Sequence, residues 1–171
     1  MTSRDRDEVR LDCYAVDATG LQRLVAWNAH LRRGTLAPTI RLLVEARVSQ
    51  INGCTFCLAM HTDEARHAAV PQTKLDTLAA WRDDESFTEQ EAAAFELAEA
   101  MTRLADMSGV PDSVWSRARA SFDDAELAAL VQVVALINAF NRINVSTRRT
   151  AQDYQTYKQR QSGNGERQAA V

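Results

Sequence analysis

Proline and glycine are scarce in this 171-residue sequence, three and six residues, and hardly any stretch alternates polar and apolar positions as a half-buried strand does. That scarcity argues against a β-rich or a Pro/Gly-rich disordered chain. There is no run of about eighteen apolar residues, and residues 1–11 are dense in charge where a signal peptide would be greasy. These absences predict a soluble protein, cytoplasmic and with no membrane partner. Twenty basic and 23 acidic residues give a formal charge of −3, with no basic block to track a phosphate backbone, so nucleic acid is not an expected partner. Cysteine is scarce too: Cys13, Cys54 and Cys57 are too few and too odd in number for a secreted disulfide framework. A chain this long buries roughly two thirds of its unfolded surface, so one domain folds without a metal or disulfide staple.

What the sequence has in quantity is apolar spacing of three to four residues. It predicts helices over about 17–33, 38–51, 54–69, 89–107, 112–121 and 124–145, with a shorter segment from Pro71 to Trp81. Gly34 is the expected left-handed stop of the first helix and Pro38 suits the first turn of the second. Thr88 with Glu91, and Asp123 with Glu126, read as helix-start signals in which side chain and backbone cap each other. The last long helix is apolar around most of its circumference, which predicts a central or subunit-interface position and hence oligomerisation. The domain organisation expected is a charged leader over 1–16, an all-helical domain over 17–157, and a mobile polar tail over 158–171.

After the Asn52-Gly53 break stands Cys54-Thr55-Phe56-Cys57-Leu58-Ala59-Met60-His61, a C-x-x-C-x-x-x-H motif. At about 100° per residue Cys57 lies roughly 60° and His61 roughly 20° from Cys54, so the three side chains share one helical face. Thiols at a helix start meet unsatisfied N–H groups and the positive end of the dipole, which favour a thiolate. His61, four residues beyond Cys57, is placed to take or hold its proton. These positions assign attack on an oxidant to Cys57 and resolution to Cys54. Two blander readings fit the same residues. One is a pair of buried small hydrophobes; the other is a metal site, for which two thiolates and an imidazole need a fourth ligand such as Glu45. Glu45 itself suits equally an ion pair with Arg41 or Arg47 and a general base.

The run Ser49-Gln50-Ile51-Asn52-Gly53-Cys54 with Cys57, Met60, His61 and Thr62, followed by Ile137-Asn138-Ala139-Phe140-Asn141-Arg142, resembles the alkylhydroperoxidase D-like branch of the carboxymuconolactone decarboxylase superfamily. The likeness covers about 36–148 and leaves both ends outside. It implies an all-α fold, a compact multi-helix bundle that assembles into homo-oligomers, often trimers or hexamers. It also implies peroxidase and disulfide-reductase-type activity. In that family the second cysteine meets the peroxide and the first resolves it, roles that carry to Cys57 and Cys54, while the following histidine carries to His61 as part of a proton relay. The family's relay glutamate commonly stands twelve residues before the first cysteine, where this chain has Leu42; Glu45 stands nine before it. Well-studied members place a histidine between the two cysteines, where this chain has Phe56.

The expectation is therefore a thiol-dependent peroxidase built on Cys57, Cys54, His61 and Glu45. It takes a small hydroperoxide, because no extended apolar pocket is legible, and is reset by an external dithiol protein or small thiol. No nucleotide-binding glycine loop appears, and no bound cofactor or metal is expected. The rivals are a redox-sensing oligomer without catalysis and a lactone decarboxylase-type enzyme. Asn138, Asn141 and Arg142 belong either near the thiols or at a subunit contact. His67 reads as a surface histidine, His30 as a favourable charge at a helix end, and Cys13 as an unpaired thiol. Trp27, Trp81 and Trp115 read as core residues.

Overall fold

Caps written into the sequence start most of the helices in the structure, a computed structural model that describes residues 9–106 and 108–169, with side chains as far as residue 160. Asp12 caps the single turn α1 (Cys13–Val16) and Asp17 caps α2 (Ala18–Leu31). Pro38 opens α3 (Pro38–Ile51), where its missing N–H costs nothing. Cys54 caps α4 (Thr55–His67), and Pro71 precedes α5 (Gln72–Thr77), which runs into a 3-10 turn over Leu78–Asp83. Complete capping boxes start α6 (Glu89–Thr102) and α8 (Asp124–Ser146), with α7 (Asp112–Ser121) between them. α9 (Ala151–Ala169) closes the chain. The described residues contain no strand, as the periodicity predicts.

Several boundaries differ from the sequence reading. α2 stops at Leu31, and α6 stops at Thr102 before a 3-10 turn over Leu104–Asp106. Gly34 is not the left-handed stop expected of it; among the described residues positive φ occurs at Gly53, Gly109, Ala69 and Arg148. The polar segment expected to stand apart from Lys158 onward is continuous with α9 as far as Ala169. Residues 1–8 of the leader and 170–171 of the tail lie outside the described residues.

α3 is the buried axis of the bundle. Ten consecutive residues, Ile40 to Ser49, are buried, and α4, α6 and α8 all pack against it. Leu43, Val44 and Val48 are fully enclosed, and each such side chain stabilises the fold by about 1.5–3 kcal/mol. α8 is long and apolar enough to cross a membrane by length and composition, yet it lies across α3 with Asn138, Asn141 and Asn144 buried and hydrogen-bonded. Trp115 departs from expectation: at 43% exposure it stands at the surface, whereas Trp81 is buried and Trp27 half-buried.

Burying α3 also buries its charges, so each needs a partner. Arg47 reaches α6, where its Nε donates to Glu99 Oε1 at 2.8 Å; Trp81 Nε1 donates to the same oxygen and Arg82 to the other, each at 2.9 Å. Burial pushes the Glu99 carboxyl up, but hydrogen bonds from Arg82, Trp81 and Arg47 outweigh it and hold the group at about 2. Glu99→Ala strands the Arg47 guanidinium, with an expected loss of about 3–5 kcal/mol in denaturant unfolding at neutral pH. A carboxyl depressed in the folded state contributes fully above its ordinary value of 4.5 and loses that contribution as pH falls toward about 2. The gap between wild type and variant therefore narrows across that acid range.

Candidate functional site

The turn between α3 and α4 builds the site. Asn52 ends α3, Gly53 takes the left-handed conformation (φ 65°), and the Gly53 and Cys54 N–H groups return to the carbonyls of Gln50 and Ser49 at 3.2 and 3.0 Å. An added Cβ on Gly53 would meet nothing within 4 Å, so backbone conformation rather than space calls for glycine there. Asn52 and Ser49 lock the turn to α8: Asn52 Nδ2 donates to Asn138 Oδ1 and Asn141 Oδ1, both at 2.9 Å, and Asn141 Nδ2 donates to Ser49 Oγ at 3.2 Å. The α8 asparagines thus serve the thiol turn, one of the two positions their sequence left open. Arg142 is an exposed neighbour that donates to Asn138.

Cys54 is the N-cap of α4, with φ −84° and ψ 92°, so the helical phase angle used for it in the sequence does not apply. Its sulfur instead folds back over the first turn and accepts the Cys57 N–H at 3.3 Å. Cys54 and Cys57 are joined as a disulfide, their Cα atoms 5.4 Å apart. Asn144, buried on α8, donates from Nδ2 to Cys57 Sγ at 3.3 Å and accepts from the Tyr14 hydroxyl at 3.4 Å.

His61 sits one turn beyond Cys57 and is 3% exposed. Its Nδ1 is 3.3 Å from Glu45 Oε2 and 3.3 Å from Glu64 Oε2. Two ionised carboxylates only accept, so the proton belongs on Nδ1. Nε2, also buried, has no hydrogen-bond partner among the described residues. Arg41 Nη1 donates to Glu45 at 2.6 Å and Arg32 pairs with Glu64. Glu45 thus pairs with Arg41, one of the two guanidinium partners read from the sequence, and also touches His61, while Arg47 goes to Glu99 instead. Leu42 is buried in the apolar core. Burial pushes Glu64 up, but the hydrogen bond from His61, together with Arg32, holds it at about 2. Glu45, His61 and Glu64 present donor atoms within 4.8 Å of one another, but both carboxylates are already bound by guanidinium groups and share the imidazole N–H. The cluster reads as an ion-pair relay with its charges matched.

Cys57, His61, Glu45 and Glu64 line a cavity of about 420 Å³. Cys54 does not reach this wall and lies behind Cys57. Met60, Leu136, Ile137 and Phe140 supply apolar walls. Val25 and Tyr157, 51% and 46% exposed, form its outer part, while Cys57 is fully buried. α9 contributes Tyr154, edge-on to Phe56 with centroids 5.8 Å apart and its hydroxyl donating to Asp63 Oδ2 at 2.8 Å.

The residues set aside in the sequence stay outside this site. His67 and His30 are exposed, and Cys13 is half-buried and unpaired. Three residues escaped the sequence reading. Asn144 continues the 138-141 asparagine spacing by three more residues on an apolar helix, a signal that was present. Glu64 stands three residues after His61, the neighbouring position on a helix. Arg149 carries no signal.

The carboxymuconolactone decarboxylase family profile matches residues 20–100. The chain is 32% identical over 137 residues to YdfG, an uncharacterized protein of Bacillus subtilis, covering 80% of this chain and 92% of that one. It is 32% identical over 113 residues to the uncharacterized YnjA of Escherichia coli, covering 66% and 61%. Among solved structures, a protein of unknown function from Agrobacterium tumefaciens, suggested to be the antioxidant defence protein AhpD, superposes with TM-score 0.80 at 29% identity, over 84% of this chain and 97% of that one. An uncharacterized peroxidase-related protein from Silicibacter superposes with TM-score 0.69 over 79% and 71%; at 22% identity it shares the fold.

Asn144 is the one described side chain that donates a hydrogen bond to Cys57 Sγ. In the reduced protein, with Cys13 and Cys54 changed to serine, Asn144→Ala should slow iodoacetamide alkylation of Cys57 at neutral pH about tenfold, the worth of one hydrogen bond to a charged acceptor. Tyr14→Phe, which removes only the group orienting Asn144, should slow it less.

Proposed function

The chain belongs to the carboxymuconolactone decarboxylase family, the superfamily of alkylhydroperoxidase D-like proteins, and on that footing we propose that it is a thiol-dependent peroxidase. The observation that carries this reading is the asymmetry of the sulfurs: Cys57 is on the cavity wall beside His61, with Cys54 behind it. A sensor acting through subunit contacts needs no cavity at its thiol, and a decarboxylase needs no cysteine pair.

In the reduced protein, Nε2 of His61 takes the Cys57 proton, because Nδ1 is already committed to Glu45 and Glu64. The Cys57 thiolate attacks the terminal oxygen of ROOH; an S–O bond forms, the O–O bond breaks, and the leaving alkoxide takes a proton to become ROH. The Cys54 sulfur then attacks the Cys57 sulfenic acid, forming the disulfide and releasing water. An external dithiol, protein-borne or small, returns two electrons and two protons by thiol–disulfide exchange. The geometry that supports Cys54 as resolving residue is its sulfur's position over the Cys57 N–H. Assembly into homo-oligomers of three or six chains belongs to the same proposal, with Leu104 and Trp115 as exposed apolar groups available for contacts.

Reduced protein should consume one equivalent of cumene hydroperoxide with loss of two thiols. Cys57→Ser should abolish the reaction, and Cys54→Ser should leave a sulfenic acid trappable by dimedone after a single turnover. His61→Ala should cut the rate about a hundredfold or more, the usual contribution of a positioned acid–base group. Thiols that survive excess hydroperoxide would overturn the proposal.

A further inference from the structure

We infer that the hydroperoxide accepted by this cavity is an organic one bearing an acid group, and that Arg149 holds that group. The inference rests on the peroxidase reading of Cys57. Arg149 reaches the cavity through an unusual turn. α8 ends with Arg148 in the left-handed conformation (φ 62°), its N–H returning to Val145 O at 3.1 Å and that of Arg149 to Asn144 O at 2.9 Å. Glycine normally fills such a position, and another residue there costs about 1 kcal/mol or more. The fold tolerates this conformation in the turn that carries Arg149 to the cavity wall.

The Arg149 guanidinium carbon lies 4.6 Å from the Tyr14 ring centroid and 4.8 Å from that of Phe56. No ion pair joins it to a carboxylate among the described residues, although every other charged group on the same wall has a partner: Arg32 neutralises Glu64, and Arg41 neutralises Glu45. Arg149 is therefore the surplus positive charge of the cavity, flanked by aromatic faces that hold it without quenching it. Arg149 and Cys57 line the same cavity, so one ligand can offer its acid to the first and its O–O bond to the second. Hydrogen peroxide would leave most of about 420 Å³ empty. The apolar walls match an aromatic or branched carbon body. This site class differs from the small peroxide that the sequence suggested, because the cavity is assembled from side chains on six separate helices and has no linear signature.

The test uses cumene hydroperoxide, its para-carboxylate and its para-carboxamide in single-turnover oxidation of the reduced full-length protein. The carboxylate should react about tenfold or more faster than the carboxamide, the scale of one charge-assisted contact. Arg149→Gln should erase that ratio, and Arg149→Lys should keep part of it. Equal rates for carboxylate and carboxamide in the wild type overturn the inference and leave the peroxidase reading standing. Should none of the three oxidise Cys57, the peroxidase reading fails, and the acid site is judged alone by calorimetry on the disulfide form with para-(2-hydroxypropan-2-yl)benzoate. Binding weakened about tenfold by Arg149→Gln supports an acid site; no binding, or binding indifferent to Arg149, overturns it.

Discussion

Glu45 and His61 meet at 3.3 Å in a region nearly sealed from water, and that contact sets the terms for everything around it. An unpaired carboxylate there would cost several kcal/mol in lost hydration. Arg41, one turn earlier on α3, offsets that cost from within the same helix, so the relay can be carried on the most deeply buried element of the bundle. The gain is orientation: with Nδ1 held by carboxylates on α3 and α4, the imidazole cannot choose its tautomer freely, and its other nitrogen is left as the basic one.

The cysteine turn depends on a second set of buried polar groups. Asn52 hydrogen-bonds to Asn138 and Asn141, Asn141 to Ser49, and Asn138 to Thr102 at 3.1 Å. Such groups destabilise a core when left unsatisfied and specify one arrangement when all are met. Here they fix where α4 starts relative to α8, and with it the distance from Cys57 to Asn144. The Ser-x-x-Asn-Gly-Cys run therefore has a mechanical content: a serine and an asparagine for anchorage, a glycine for the reversed φ, and a sulfur as cap.

What could be read from the sequence was local. Capping boxes at Thr88 and Asp123, proline at 38 and the Asn-Gly break each act within four residues of themselves, and the structure places helix boundaries at all of them. The C-x-x-C-x-x-x-H spacing likewise brought Cys57 and His61 to one wall by helical repeat alone. Errors arose where tertiary context decides. Gly34 is permitted a left-handed conformation but not compelled to use it, whereas Arg148 adopts one against its own preference. Trp115 is apolar enough for a core yet faces outward because α7 covers the bundle with its other side. Glu45 was left between two roles since no sequence shows that one carboxylate oxygen meets both an arginine of its own helix and a histidine of the next. Arg149 became visible only when α1, α4 and α8 were folded together around it.

Tyr14 belongs to the stretch that the sequence marks as a charged preamble with no chemistry of its own. Its hydroxyl touches Asn144, whose amide touches Cys57, and its ring faces Arg149. The most peripheral strip of chain is thus two handshakes from the reactive sulfur. Trimming or fusing at that end alters the reaction chamber itself, and the tempo of the thiol is partly written in front of the bundle that houses it.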